Sequence, residues 1–433
     1  MLNTFYLSWV RFSWRLISRT INAPVVAFCA FILSLSAHGG PDVLPAGINS
    51  PMFNYGLFEN IGQRYEEDGS LWKVGDLRSV EYDASYLTKV SPDAKNLITA
   101  LNAFGLSHGQ SINYGVLKFD INPSMQYFAP IYARGITKNW TLAFGAPIIT
   151  YQVDIHLHTV NSNLDSYKAV YMGRVSEELD RALNLDIKAE TLKTIEQRGY
   201  KPLQSQKSQF MADMQIVSIY KLHQMPQLDL FYLTTVGLPT GPQYDPDDLV
   251  ALNTFGLASV ENTIASTFKG MYGLSATPYI GYQYVLADKI TARVPLNDED
   301  NLPDASQKEN VDRQTGGKWI FKSEGEWKAS DSLTFSSAYT QAQKAADTFS
   351  GIGNARYDLL SKNTYTREER YSMKVSFNTV KAYFKKKALF PYMVYYEFSD
   401  LFKGENVNRR TLHELNFKMF FLKGWKLLNE TSY

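Results

Sequence analysis

The chain has 433 residues with 44 basic and 43 acidic side chains, a net charge of +1 that gives no electrostatic footprint for a nucleic-acid partner. Aromatic residues make up 14% of it, yet mean hydropathy is only -0.26, and past the N-terminus no run approaches the roughly 20 apolar residues of a membrane-spanning helix. A single cysteine, Cys29, excludes a disulfide scaffold.

Arg11, Arg15 and Arg19 precede an apolar stretch over 23–35, and Ser36, Ala37, His38, Gly39 and Gly40 follow it. A basic segment, a short apolar core and small residues for cleavage read as a secretory signal peptide over 1–37, cut near Ser36 or Ala37. A permanent anchor would need a longer run. Phe28 precedes Cys29 where a lipoprotein signal wants a small residue, so the mature chain is expected to lack cysteine altogether. Residues 38–109 are rich in Gly, Pro and Asn at first and helical in pattern around 91–104. They are expected either as a plug in a barrel lumen, the favoured place, or as a periplasmic segment. A further strand near 77–90 is an open alternative.

From about residue 110 the pattern has period two. In Tyr151-Gln-Val-Asp-Ile-His-Leu-His158 odd positions are apolar and even ones polar, and Trp319, Phe321 and Trp327 alternate with Lys318, Lys322, Glu324, Glu326 and Lys328. Each such strand has one greasy and one polar face. A soluble sandwich buries the greasy face in its core, whereas a transmembrane barrel turns it to lipid. Twelve segments follow this pattern: about 110–122, 124–135, 140–157, 210–222, 227–239, 256–268, 271–287, 317–329, 332–345, 366–381, 387–400 and 409–422. Every second junction is tight, as at 136–139, 223–226, 269–270 and 329–332. Most of the others are long, and the longest, 159–209, carries a helical pattern. That alternation predicts an all-β transmembrane antiparallel barrel over 110–433, of about twelve strands with fourteen possible if 77–90 contributes. Its turns would face the periplasm and its loops the exterior. An energy-coupled transporter of 22 strands exceeds this length.

Two stretches carry a family resemblance. Tyr132-Ala-Arg-Gly-Ile-Thr-Lys-Asn-Trp-Thr-Leu-Ala-Phe-Gly-Ala-Pro147 resembles a hairpin of outer-membrane transporters for hydrophobic compounds, the FadL-like long-chain fatty-acid transporters and the barrels associated with phenol-degradation pathways. Leu233-Thr-Thr-Val-Gly-Leu-Pro-Thr-Gly241 resembles a strand end of the latter group. The resemblance covers about a third of the chain and implies a channel for small hydrophobic substrates. The fatty-acid transporters carry Asn-Pro-Ala in a hatch near the mature N-terminus. Here the stretch is Leu44-Pro45-Ala46-Gly47, without the Asn, so Pro45, Ala46 and Gly47 are the candidate plug residues.

The candidate substrate path is the polar phase of the strands. It comprises Gln152, Asp154 and His156 on one strand, Tyr279 and Gln283 on another, and the mixed-sign ladder Lys322, Glu324 and Glu326. If Met125, Tyr127, Ala129 and Ile131 face lipid, Phe128 and Tyr132 join the lumen. Asp154, His156 and His158 at alternate positions have the spacing of metal ligands or a pH-sensitive gate, against the plainer reading of a solvated rim. A pore selective for one charge sign would line up that sign, which the ladder does not. No Gly-x-Ser-x-Gly, His-Glu-x-x-His or phosphate-cradling loop occurs, so no enzyme activity and no cofactor are expected. Most aromatic rings are expected in the interfacial girdles. The expected partners are outer-membrane lipid, the barrel-assembly machinery and a small hydrophobic substrate, in the outer membrane of a Gram-negative bacterium. A general porin for polar solutes, or a barrel serving as anchor or adhesin through its loops, are the alternatives.

Overall fold

The computed structural model describes residues 41–422, except 77–78, 91, 106, 253–254, 299, 301 and 354–355. The expected signal peptide with Cys29, and Tyr433, lie outside the described residues. Twelve strands form the wall: β1 (Asn49–Glu59), β2 (Asn113–Thr137), β3 (Trp140–Gly145 and Ile148–Val160), β4 (Gln206–Met211 and Met214–Gln224), β5 (Leu228–Leu238), β6 (Ser259–Lys269), β7 (Leu274–Val285), β8 (Lys318–Lys328), β9 (Leu333–Lys344), β10 (Thr366–Asn378), β11 (Tyr392–Glu405) and β12 (Thr411–Met419). Each pairs antiparallel with the next, and β1 pairs with both β12 and β2, so the sheet closes on itself. Closure satisfies every ladder group without water, the condition for crossing a bilayer with strands. Tight turns lie at one end and long connections at the other, as the alternation of junctions predicts.

The count of twelve agrees with the sequence expectation, but the membership differs. Segments 110–122 and 124–135, read as two strands, are one continuous 25-residue β2. Pro123 does not divide it, because pairing with β1 ends at Met125 and proline is tolerated on a free strand edge. The vacated place belongs to β1, which lies inside the segment expected as plug or periplasmic. Its Pro51, Asn54 and Gly56 look like turn residues in sequence. In the barrel Met52, Asn54, Gly56 and Phe58 face inward while Phe53, Tyr55 and Leu57 face out. The part of that segment that follows β1 sits at the loop end. There Val80–Asp83 pairs with the upper part of β2, followed by helices Ala84–Val90 and Pro92–Asn102. The extra strand weighed near 77–90 is therefore four residues long and adds nothing to the membrane wall.

Outward rings form the belt: Phe53 stacks on Phe128 at 6.1 Å and Trp327 on Phe335 at 5.8 Å, while Tyr282 meets Trp319 at a tilt with ring centres 4.8 Å apart. β2 is far longer than the 9–11 residues that cross a bilayer. Its outward face changes from Phe128 to Ser124, Asn122 and Asp120, so its upper half stands outside the membrane with the matching part of β3.

Inside, Tyr127 lies across Gly56. A Cβ on Gly56 would sit 2.0 Å from the Tyr127 ring. Replacing Gly56 by Val forces that ring out of place, an overpacking cost of about 1–3 kcal/mol. The temperature at which the folded, fast-migrating form is lost in SDS gels should fall for this variant and not for Gly325→Val, where a Cβ has room.

Candidate functional site

Paired charges line the lumen from its middle to its loop end. Lys322 and Lys374 both reach Glu324, at 2.9 and 3.2 Å, and Lys318 meets Glu368 at 2.7 Å, with Arg410 on the same carboxylate. β9 lies between β8 and β10 and contributes small inward residues, Ser336, Ala338 and Ala342, over which these side chains meet. Tyr279 donates its hydroxyl to Glu324 at 3.3 Å and carries the Lys322 ammonium 4.9 Å above its ring. On the next wall Tyr127 and Tyr395 both donate to Glu414, the latter at 2.8 Å. Charges buried this deeply persist because each has a partner.

Two apolar clusters flank these charges, one toward each end of the barrel. At the turn end, residues 41–48 run inside the barrel and put Val43, Leu44 and Ile48 against Ile131, Ala143, Val217, Ile219 and Phe231 on one wall. Met393, Val380 and Phe420 complete the cluster from the other side. The segment is docked by hydrogen bonds: Leu44 N–H donates to Thr141 Oγ1 at 2.7 Å, Gly47 N–H to the Gly135 carbonyl at 2.8 Å, and Gly135 N–H to the Ile48 carbonyl at 2.9 Å. A Cβ on Gly135 would lie 2.0 Å from the Pro45 carbonyl, which explains the glycine of the Tyr132–Pro147 hairpin. Asp42, at the head of the segment, lies 3.9 Å from Lys221 of β4.

At the loop end, inward Phe58, Tyr127 and Leu412 join one apolar core with Leu179, Leu183, Ile187 and Ile195 of the helices Glu177–Leu183 and Ile187–Gln197. Phe255 and Leu302 of two other connections belong to the same core. Arg293 ties these three connections together. It donates through Nε and Nη2 to Asp247 at 3.1 and 2.6 Å, and to the carbonyls of Arg198, Gly199 and Pro303 at 2.7, 2.7 and 2.9 Å. Its guanidinium also stacks 3.7 Å over Tyr200.

Burial pushes the Asp247 carboxyl up, but hydrogen bonds and charge from Lys308 and Arg293 outweigh it and hold the group below its ordinary value. A carboxylate held low stabilises above its unfolded pKa and loses that stabilisation only as pH falls through the folded one. The clasp is therefore fully formed at neutral pH. Protease sensitivity of the loops should be flat between about pH 5 and 8 and rise only in stronger acid.

Asp213, at the interruption of β4, accepts from the backbone N–H groups of Gly241, Gly256 and Leu257 at 2.8, 3.0 and 3.3 Å. Thr240 accepts from Met214 N–H at 2.8 Å, and a Cβ on Gly241 would lie 2.7 Å from Phe255. The Leu-Pro-Thr-Gly stretch is thus the footing of the 239–258 connection. Asp213→Ala leaves buried donors unsatisfied at about 1–3 kcal/mol each. Hydrogen exchange at Gly241, Gly256 and Leu257 should accelerate while β8–β10 stays protected.

Of the candidates read from sequence, Tyr279, Gln283, Lys322, Glu324 and Glu326 lie on the inward phase of their strands. Phe128 and Tyr132 do not. Met125, Tyr127, Ala129 and Ile131 are the buried, inward set, and Phe128 and Tyr132 join the outer belt, Tyr132 beside Phe144 at 5.5 Å. Both phases of β2 are apolar there, so alternation alone did not fix the side. Gln152, Asp154 and His156 are also corrected. They lie on the outer face of the extramembrane sheet, while Tyr151, Val153, Ile155 and Leu157 pack inward on the loop-end core. Above the bilayer the greasy phase turns to the core, as in a soluble protein. His158 pairs there with Asp120 at 3.3 Å, and among the described residues no side-chain group suited to a metal ion occurs. Pro45, Ala46 and Gly47 lie in the segment inside the turn end of the lumen. Sequence reading does not single out Arg293, Asp247, Asp213 or Glu414, and it places Tyr127 on the lipid face. The uninterrupted length of β2 was the available signal for an extramembrane sheet.

No protein-family model matches the chain, and no curated protein matches it. Among solved structures, an outer-membrane channel of Pseudomonas putida F1 is similar at a TM-score of 0.49 and 9% identity, over 90% of this chain and 100% of that one. The CymD monoaromatic hydrocarbon channel is similar at 0.32 and 8%, over 88% and 90% of the two chains. The toluene transporter TodX of Pseudomonas putida gives 0.30 and 7%, over 95% and 96%. At such scores and identities no residue role carries across.

Proposed function

We propose that the chain is an outer-membrane channel for passive uptake of small hydrophobic or aromatic compounds, closed at rest at both ends. Short turns at one end, long loops at the other and an outward aromatic belt support the placement, with the turns periplasmic. The observation that carries the reading is the pair of apolar seals around the lumen. A general porin needs a standing aqueous path, whereas a packed apolar core at the outer mouth admits small greasy solutes by partition. The test is flux across membranes with a lipopolysaccharide outer leaflet, comparing a toluene-sized aromatic with a disaccharide. Protein-dependent flux of the aromatic alone supports the reading. Disaccharide flux without aromatic flux overturns it in favour of a polar-solute porin, to which the paired charges of the lumen would then point.

A further inference from the structure

We infer that the β10–β11 turn is a docking surface for anionic phospholipid headgroups at the periplasmic membrane face. The turn holds the short helix Val380–Phe384, then Lys385, Lys386 and Lys387, then Leu389 and Phe390. Val380 packs into the turn-end seal, which fixes the helix to the barrel. Asp331 of the neighbouring turn takes up Lys381 at 2.6 Å and Lys385 at 3.7 Å. Lys386 and Lys387 form no ion pair among the described residues, and both are exposed. Lys386 has a φ of 57°, the left-handed conformation in which a helix end favours glycine. Its amide donates to the Tyr383 carbonyl and that of Lys387 to Ala382, both at 2.8 Å, so the helix end holds the two ammonium groups away from the barrel interior.

What lies beside these lysines identifies the partner. Leu389 is 90% exposed, and Phe390 lies at a tilt 5.1 Å from Tyr392, which in turn meets Phe417 at 5.8 Å and Phe377 at 6.4 Å on the lipid face. The patch therefore continues the lipid-facing belt: greasy side chains reach past the strand ends, and two uncompensated cations stand at headgroup level. Clustered lysines beside a bilayer bind anionic lipid electrostatically, while apolar neighbours dip into the acyl boundary. A soluble acidic partner would not need Leu389 and Phe390. This surface is independent of what the lumen carries.

The test uses the full protein purified in neutral detergent, with phosphatidylglycerol or phosphatidylcholine added and binding followed by native mass spectrometry. Phosphatidylglycerol is expected to bind in preference. Each lysine neutralised should weaken that binding about fivefold, so K386Q/K387Q loses about 25-fold. Leu389→Ser should weaken binding with the charges intact, and Lys289→Gln, at the opposite end, should change nothing. Gel migration of the unheated protein checks folding of each variant. Equal binding of the two lipids, or wild-type binding by K386Q/K387Q, overturns the proposal. Inorganic phosphate competing at low millimolar concentration would also overturn it, by showing a phosphate site instead of a membrane surface.

Discussion

Arg293→Met releases the outer mouth. Arg293 is 5% exposed, and its guanidinium serves an acidic side chain and three carbonyls drawn from three separate connections. Methionine keeps much of the stem but leaves Asp247 with Lys308 alone and the Gly199 carbonyl without its donor, while the Arg198 and Pro303 carbonyls keep only the Ala305 N–H and the Tyr200 hydroxyl. Breaking a buried pair from one side costs about 3–5 kcal/mol, which shifts the closed-to-open ratio of the cap by about two to four orders of magnitude. The readout is chemical access. With Cys29 the sole native cysteine, a cysteine at Leu412, on the inward face under the cap, reports reaction with a membrane-impermeant maleimide added from the loop side. Labelling should accelerate by about a hundredfold or more in Arg293→Met, and hardly at all in Arg356→Met, whose pairs to Asp358 and Asp298 are exposed. Unchanged labelling would show that the apolar core holds the cap without the clasp.

Removal of residues 41–48 opens the other end. Val43, Leu44 and Ile48 are nearly fully buried, and burying three such side chains contributes about 1.5–3 kcal/mol each. The deletion also frees Thr141 Oγ1 and the Gly135 backbone. A cysteine at Ile219 should then label from the turn side, where it is inert in the intact chain. Gly135→Val should reproduce much of the effect, because its Cβ collides with the Pro45 carbonyl. A larger deletion of 38–109 cannot serve, since it removes β1 and breaks the closed wall. If Ile219 labels equally with and without the segment, residues 41–48 are not the seal.

Alternation made the barrel legible, and the spacing of the strands made the sorting of turns and loops to opposite ends legible, because both follow from local chain geometry. The β8 ladder was legible for the same reason: Trp319, Phe321 and Trp327 leave no doubt about the lipid side, so Lys322, Glu324 and Glu326 must face inward. β2 and β3 defeated the same logic in two ways. In β2 both phases are apolar near Phe128, since the inward residues pack against Phe58 and the cap. In β3 the polar phase of Gln152, Asp154 and His156 looks outward, because that part of the strand stands in water instead of lipid. Strand β1 escaped notice because Asn54 and Gly56, which make room for Glu414 and Tyr127, read locally as turn formers. The Arg293 clasp left no local trace at all. Its partners lie 10, 46, 94 and 95 residues away in sequence, and three of them are backbone carbonyls.

Single-channel conductance in planar bilayers tests the central claim, a twelve-stranded barrel sealed at both ends, most directly. The intact protein should be electrically silent, and Arg293→Met combined with removal of residues 41–48 should give a steady conductance that scales with salt. A steady, salt-scaled conductance in the intact protein would contradict the account.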